Sequence, residues 1–227
     1  MDIEKLLYLP LAIENPPMDA LDHLNNIDFS KLYQDEYRSC YHVPLMYDFV
    51  PGKFVWTPYM FPYKALREWF EDVLFPLLGR SRIVIITTPE GGINPPHIDC
   101  DRAAFDTSLQ HKFRYVMQGN IDDLYFMTDC KDVQMPGEVD KPFIMSGKWP
   151  HYMKNSYAGT KFTLAYGAPW DGDLNDTVYT DLLHRSYKKY KNHYLQAENG
   201  LPEKWENLFE ENNTVREKAN ELFFPKK

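Results

Sequence analysis

Hydrophobic positions along residues 62–78 recur at three and four residues: Leu66, Trp69, Phe70, Val73, Leu74 and Leu77. That is the period of a helix with one buried face, and Gly79 follows as its stop. The pattern then changes. Ser81-Arg82-Ile83-Val84-Ile85-Ile86-Thr87-Thr88 is a β-branched run closed by Pro89, Gly91 and Gly92, which reads as a buried strand. Further strands are expected over residues 113–118, 124–127, 142–145 and 161–167, bounded by turn signals such as Gly119-Asn120 and Asp122-Asp123. Short strands without helical segments between them point to an antiparallel sandwich or barrel and away from a βαβ sheet.

Residues 1–60 are punctuated by Pro10, Pro16, Pro17, Pro44, Pro51 and Pro58, so an irregular cap is expected, with short helices over 18–24 and 29–35. Residues 179–195 and 202–223 read as helices. The first carries Arg185, Lys188, Lys189 and Lys191, either a solvated face or a contact for an anionic partner. The expected organisation is one domain of three parts: a cap (1–79), a β-sandwich core (80–170) and C-terminal helices (171–227).

Composition narrows the class. The chain has 227 residues, 44% hydrophobic and 26% charged, which excludes a wholly disordered protein. Aromatic residues reach 15% and favour strands. A net charge of −8 argues against sequence-independent binding to nucleic acid or to an anionic membrane, since both need a basic face. Cys40, Cys100 and Cys130 fit neither a disulfide framework nor a zinc ribbon, and reduced thiols in a cytoplasmic protein are the simplest account. Residues 1–14 lack the unbroken apolar stretch of a signal peptide, and no run is long enough to span a bilayer.

The chemistry-bearing segment is Asn94-Pro95-Pro96-His97-Ile98-Asp99. Residues two apart on an extended chain face the same way, so the His97 imidazole and the Asp99 carboxylate can converge on one ion. Pro95 and Pro96 exclude a helix, on which the two would diverge. His151, 54 residues downstream in Trp149-Pro150-His151, is the candidate third ligand. Two neutral imidazoles and one carboxylate make the facial triad of non-haem Fe(II) enzymes, which leaves positions open for a bidentate co-substrate and dioxygen. A zinc hydrolase accepts the same set with one open position. Asp101 competes with Asp99 by proximity but is spaced less well. Taken singly, either histidine reads more simply as a surface or hydrogen-bonded core residue.

Ten residues past His151, Lys161 and Thr163 share a face of an expected strand. A cation inside a barrel is costly without an anion, so this pair could grip a carboxylate reaching inward from the metal. A dicarboxylate that chelates iron at one end and meets a buried cation at the other is 2-oxoglutarate. Alternatively Lys161 snorkels to solvent. In Lys112-Phe113-Arg114, Arg114 points either inward to a metal-bound carboxylate or outward into a salt bridge.

Together these segments, with Trp149-Pro150-His151 and the run from Lys161 to Trp170, resemble the Fe(II)/2-oxoglutarate-dependent oxygenases, and among them the aspartyl/asparaginyl β-hydroxylase-like group. The likeness spans residues 80–170. It implies a mainly β fold: a double-stranded β-helix (jelly-roll, cupin-like) core with helices on its N-terminal side and at the C-terminus. It implies His97, Asp99 and His151 as iron ligands, Lys161 with Thr163 on the distal carboxylate of 2-oxoglutarate, and Arg114 near the iron-proximal one. Fe(II), 2-oxoglutarate and O2 would then hydroxylate a C–H bond, with no protein general base. Two departures stand out. Lys161 occupies a position where the family often has Arg, giving a point charge in place of a fork, and Asp99 is present where some β-hydroxylase-like members lack a carboxylate.

The expected substrate is a protein, a peptide or a small molecule, with neither nucleic acid nor membrane as partner. The N-terminal aromatics Tyr33, Tyr37, Tyr41, Tyr47, Phe49, Trp56, Tyr59 and Phe61 either line a substrate groove or pack on the sandwich. Tyr115, Tyr125, Trp149 and Trp170 are expected near the metal. A cupin-like metal hydrolase or isomerase, and a catalytically silent binding module, are the competing readings.

Overall fold

The computed structural model describes residues 2–29, 32–35, 39–50, 52–100, 102, 105–106, 108–167, 173 and 175–209. Its strands in chain order are β1 (Leu6–Pro10), β2 (Tyr33–Asp35), β3 (Cys40–Val50), β4 (Lys53–Trp56), β5 (Ile83–Thr88), β6 (Ile93–His97), β7 (His111–Gln118), β8 (Leu124–Met127), β9 (Asp132–Gln134), β10 (Phe143–Ser146), β11 (His151–Lys154), β12 (Lys161–Tyr166) and β13 (Leu195–Gln196). The helices are α1 (Leu21–Leu24), α2 (Lys64–Trp69), α3 (Phe75–Leu78) and α4 (Thr177–Tyr190).

The strands form two antiparallel sheets. The larger runs β13-β1-β10-β7-β12-β5-β3-β2, with β4 also pairing β3, and the smaller runs β6-β11-β8-β9. From β5 to β12 the chain passes back and forth between them: β5, β7, β10 and β12 lie in the larger sheet, β6, β8, β9 and β11 in the smaller. This alternation is the double-stranded β-helix, so the mainly β fold expected from the strand spacing and the resemblance is the fold observed.

Strand alternation gives the larger sheet two buried faces. On β7, Val116 packs with Phe126 of the smaller sheet, whereas Phe113, Tyr115 and Met117 join the cluster that holds Leu66, Phe70, Leu78, Leu182 and Leu183 of the helical layer. The helical period read at residues 62–78 is present as α2, a π turn over Phe70–Leu74, and α3. The wider turn has a local cause. Pro76 has no N–H to donate, and the preceding residue, Phe75, bonds back to Phe70 O, five residues away. Gly79 ends the run at φ 76°, as expected of a helix stop.

The N-terminal part departs from the expected irregular cap. Four strands lie within residues 1–79, and β1 and β3 widen the larger sheet on opposite sides of the jelly roll. Prolines there exclude long helices without excluding strands: Pro44 sits where the β3–β5 register shifts, and Pro10 ends β1. In place of the helix expected over 29–35, Tyr33–Asp35 is a strand against β3. Thr177–Tyr190 is helical as read, but residues 202–209 contain only a short 3-10 turn, Trp205–Leu208, and the rest of that expected helix lies outside the described residues. Among the described residues, no helix is long and apolar enough to cross a membrane.

His111, on the helix-facing side of β7, is buried against α4, with Nδ1 2.5 Å from the Tyr179 hydroxyl. Burial, with the nearby Lys148 and Lys112 charges, pushes its pKa down to about 3. The unfolded chain takes up that proton near pH 6.5, so it binds more protons than the folded chain between the two values, and stability falls as pH falls. The expected loss is about 1.4 kcal/mol per pH unit at most. Thermal unfolding measured from pH 7 to 5 should show this slope, and His111→Asn should flatten it. An equal slope in both proteins would assign it to another group.

Candidate functional site

β6 is an edge strand of the smaller sheet, which is why Pro95 and Pro96 are tolerated in it: an edge leaves one row of ladder positions unused. His97 is its last residue, and Asp99 lies just past the strand end, where its N–H donates to Gly147 O at 3.0 Å. His151 opens β11 directly opposite His97 in the ladder. The residues 54 apart in sequence are therefore cross-strand neighbours on one face, with ring centroids 4.3 Å apart.

Donor atoms of His97, Asp99 and His151 all lie within 4.8 Å of one another. His97 Nε2 is 3.4 Å from Asp99 Oδ1, and His151 Nε2 is 3.7 Å from Asp99 Oδ2. Two donors about 2.1 Å from one ion and at right angles sit about 3 Å apart, so the set closes on a cation with small movements. The tautomers suit it. His97 Nδ1 lies 2.7 Å from Pro95 O and His151 Nδ1 lies 2.9 Å from Trp149 O. A carbonyl only accepts, so both Nδ1 atoms carry the hydrogen and both Nε2 lone pairs face the shared point. Burial raises the Asp99 carboxyl, but the His151 and His97 rings facing it outweigh this and hold it well below the usual carboxylate range. A divalent cation fits this donor set.

Arg114 points inward. Its Nη2 donates to Asp99 Oδ2 at 2.9 Å, so its salt bridge is made inside the sandwich and not on the surface. Asp101, the rival carboxylate, lies outside the described residues.

The triad opens on a cavity of about 110 Å³ whose lining includes Arg114, Lys161 and Thr163. Lys161 is only 3% exposed, so it does not snorkel. Its Nζ donates to Asp123 Oδ2 at 3.1 Å and to Asn120 O. Asp123 was legible only as half of a turn signal, although a buried lysine on a strand demands an anion and could have prompted a search for one. Burial lowers the Lys161 pKa below its ordinary value, with Asp123 opposing the shift.

Two further polar lining residues escape sequence reasoning. Asn94 projects from β6 with Oδ1 buried and with no hydrogen-bond partner among the described residues, and His42 comes from β3 in the supposed cap, 3.6 Å from Cys40 Sγ. Of the four aromatics expected near the metal, two lie elsewhere. Tyr115 lies on the helix-facing side of β7 and Tyr125 stacks on Tyr152 at 5.1 Å, and neither lines the cavity. Trp149 is buried beside the triad, and Trp170 lies outside the described residues. Of the N-terminal rings, Tyr41, Trp56 and Tyr59 pack on the core and Phe61 stands 71% exposed, while Tyr37 and the Tyr33 side chain are not among those described.

No family model matches the chain, and neither does any curated protein sequence. Similar solved structures include a prolyl-4-hydroxylase from Pseudomonas putida, 16% identical over 72% of this chain and 92% of that one, with a TM-score of 0.42. A prolyl hydroxylase from Trichoplax adhaerens, in complex with a hypoxia-inducible-factor peptide fragment, is 15% identical over 75% of this chain and 86% of that one, with a TM-score of 0.45. A 2OG-Fe(II) oxygenase family protein from Burkholderia pseudomallei is 13% identical over 65% and 77%, with a TM-score of 0.42. At these values the likeness carries no argument about activity, which has to come from the side chains themselves.

Proposed function

We propose that this chain is one Fe(II)- and 2-oxoglutarate-dependent oxygenase domain that hydroxylates a C–H bond. The observation that carries the reading is the pair of histidines whose Nδ1 hydrogens are tied to backbone carbonyls, so that both Nε2 atoms and Asp99 present lone pairs to one point in a cavity also lined by a buried lysine. His97, Asp99 and His151 would hold the metal. Lys161 and Thr163 would receive the distal carboxylate of the co-substrate.

Once bound, iron and 2-oxoglutarate supply the oxidising chemistry: O2 and the keto acid are consumed, succinate and CO2 leave, and one oxygen atom enters the substrate. The chain's own task is geometric. Arg114 holds the Oδ2 side of Asp99, which limits how that carboxylate turns toward a cation. Val116, Leu124, Phe143 and Met145 give the cavity an apolar stretch of wall, which limits the water that competes with the carboxylate contacts.

For the substrate we favour an amino-acid residue in a protein or peptide. The β-hydroxylase-like resemblance points that way, and the unpartnered Asn94 Oδ1 suits an N–H donor such as a peptide amide.

Anaerobic titration of the purified protein with Fe(II) and then 2-oxoglutarate tests the reading. A visible metal-to-ligand charge-transfer band is expected on adding the keto acid. Metal binding without such a band would instead indicate a cupin-like hydrolase or isomerase, and no metal binding would indicate a silent module.

A further inference from the structure

Lys161 is held from three sides. Its Nζ donates to Asp123 Oδ2 at 3.1 Å and to Asn120 O. Asp123 Oδ1 accepts from Ser156 twice, from N at 3.3 Å and from Oγ at 2.5 Å, and Asn120 Nδ2 donates to the same Ser156 Oγ at 2.8 Å. Gly119 covers the lysine stem at φ 113°, and a Cβ there would meet Lys161 Cγ at 2.8 Å. The loop after β7 is therefore built around this one side chain.

An ammonium has three N–H donors. Two are committed to Asp123 and Asn120, which leaves one for the cavity that Lys161 lines. We propose that Asp123 is the positioning residue for co-substrate binding: it holds the Lys161 ammonium charged and aimed so that the remaining N–H meets the distal carboxylate of 2-oxoglutarate. The inference rests on the oxygenase reading above.

The electrostatics give the pair a measurable consequence. The side chains of Lys161 and Asp123 are each 4% exposed, so neither charge is compensated by water. Burial pushes the lysine toward its neutral form, while Asp123 and, more weakly, Asp122 hold the proton on. From the other elements around the cavity the titratable groups are Cys40 and His42 on β3, Arg114 on β7 and the triad. With a neutral amide at 123, the balance tips toward the neutral amine, and a carboxylate then meets an uncharged partner at alkaline pH. At acid pH the same variant keeps its ammonium and lacks the competing carboxylate.

The test is calorimetric titration of 2-oxoglutarate into the Mn(II)-loaded full chain, between pH 6 and 9. Wild-type affinity should change less than about threefold across that range. Asp123→Asn should bind as tightly as wild type at pH 6 and lose up to about tenfold per pH unit above the new lysine midpoint, with Mn(II) affinity unchanged. Asp123→Glu, which retains the charge, should stay flat with pH. Parallel pH curves for wild type and Asp123→Asn, or a uniform loss at every pH, would overturn the proposal. If Asp123→Asn does not fold, Ser156→Ala takes its place: it frees one carboxylate oxygen from its hydroxyl partner and should weaken 2-oxoglutarate binding about three- to tenfold, while unchanged affinity would overturn the proposal too. A wild-type protein that binds Mn(II) but no 2-oxoglutarate at any pH would instead remove the oxygenase reading itself.

Discussion

Replacing His151 with alanine is expected to abolish 2-oxoglutarate-dependent succinate release. The loss should exceed the ~10–100-fold that follows from removing an outer-shell partner of a metal ligand, because one of three donors disappears outright. His151 is 3% exposed and faces the cavity, so its removal enlarges an existing space more than it tears the core. The expected stability cost is therefore about 1 kcal/mol. Succinate release, bound metal by elemental analysis and the thermal midpoint, measured on one preparation, separate the cases. Lost metal and lost turnover with a near-native midpoint would support ligation. Wild-type turnover in the variant would take His151 out of the site, and with it the reading of the triad. A parallel change at Phe126, which packs 6.0 Å from the His151 ring on the neighbouring strand, should cost stability first and turnover only through it.

Replacing Lys161 produces the second large effect, and it has two components that can be pulled apart. A hydrogen bond to a charged group contributes about 1.5–3 kcal/mol, so the apparent Michaelis constant for 2-oxoglutarate in Lys161→Met should rise roughly 10- to 150-fold. The same change strands the Asp123 carboxylate in a buried site, and breaking a buried pair from one side costs about 3–5 kcal/mol. Lys161→Met is thus expected to lower the unfolding midpoint as well. The double variant Lys161→Met with Asp123→Asn removes both charges, keeps an oxygen for the Ser156 N–H, and should regain most of that stability, since the larger part of the cost is the uncompensated buried charge. Affinity for 2-oxoglutarate should stay low in the double variant. Recovery of both stability and co-substrate binding there would show that Lys161 serves the fold alone.

Several features were legible along the chain because they depend on neighbours in sequence. Apolar spacing over residues 62–78 marks a helix wherever it packs, and the β-branched run at 83–88 marks a strand. The His97 and Asp99 pairing was readable for the same reason, although Asp99 lies just past the end of the strand. Prolines misled in one direction. Those within residues 1–60 predict an irregular cap, yet Pro44 and Pro10 are accommodated in strands at a register shift and at a strand end. Only the choice of neighbouring strand reveals that such a position needs no ladder donor, and that choice lies outside any local window.

Amino-acid order by itself determined the chemical inventory: two histidines, a carboxylate and a strand lysine, set in a chain whose short strands forbid a βαβ sheet. What the tertiary structure alone decided is who meets whom. The β6–β11 ladder puts His151 opposite His97, the Arg114 guanidinium falls on Asp99, and a loop residue read as a turn signal, Asp123, becomes the counter-charge of Lys161. The division has a physical origin. Periodicity and turn chemistry arise from backbone preferences within a few residues, whereas ladder register and the compensation of buried charge are free energies of contact between segments that only folding brings together.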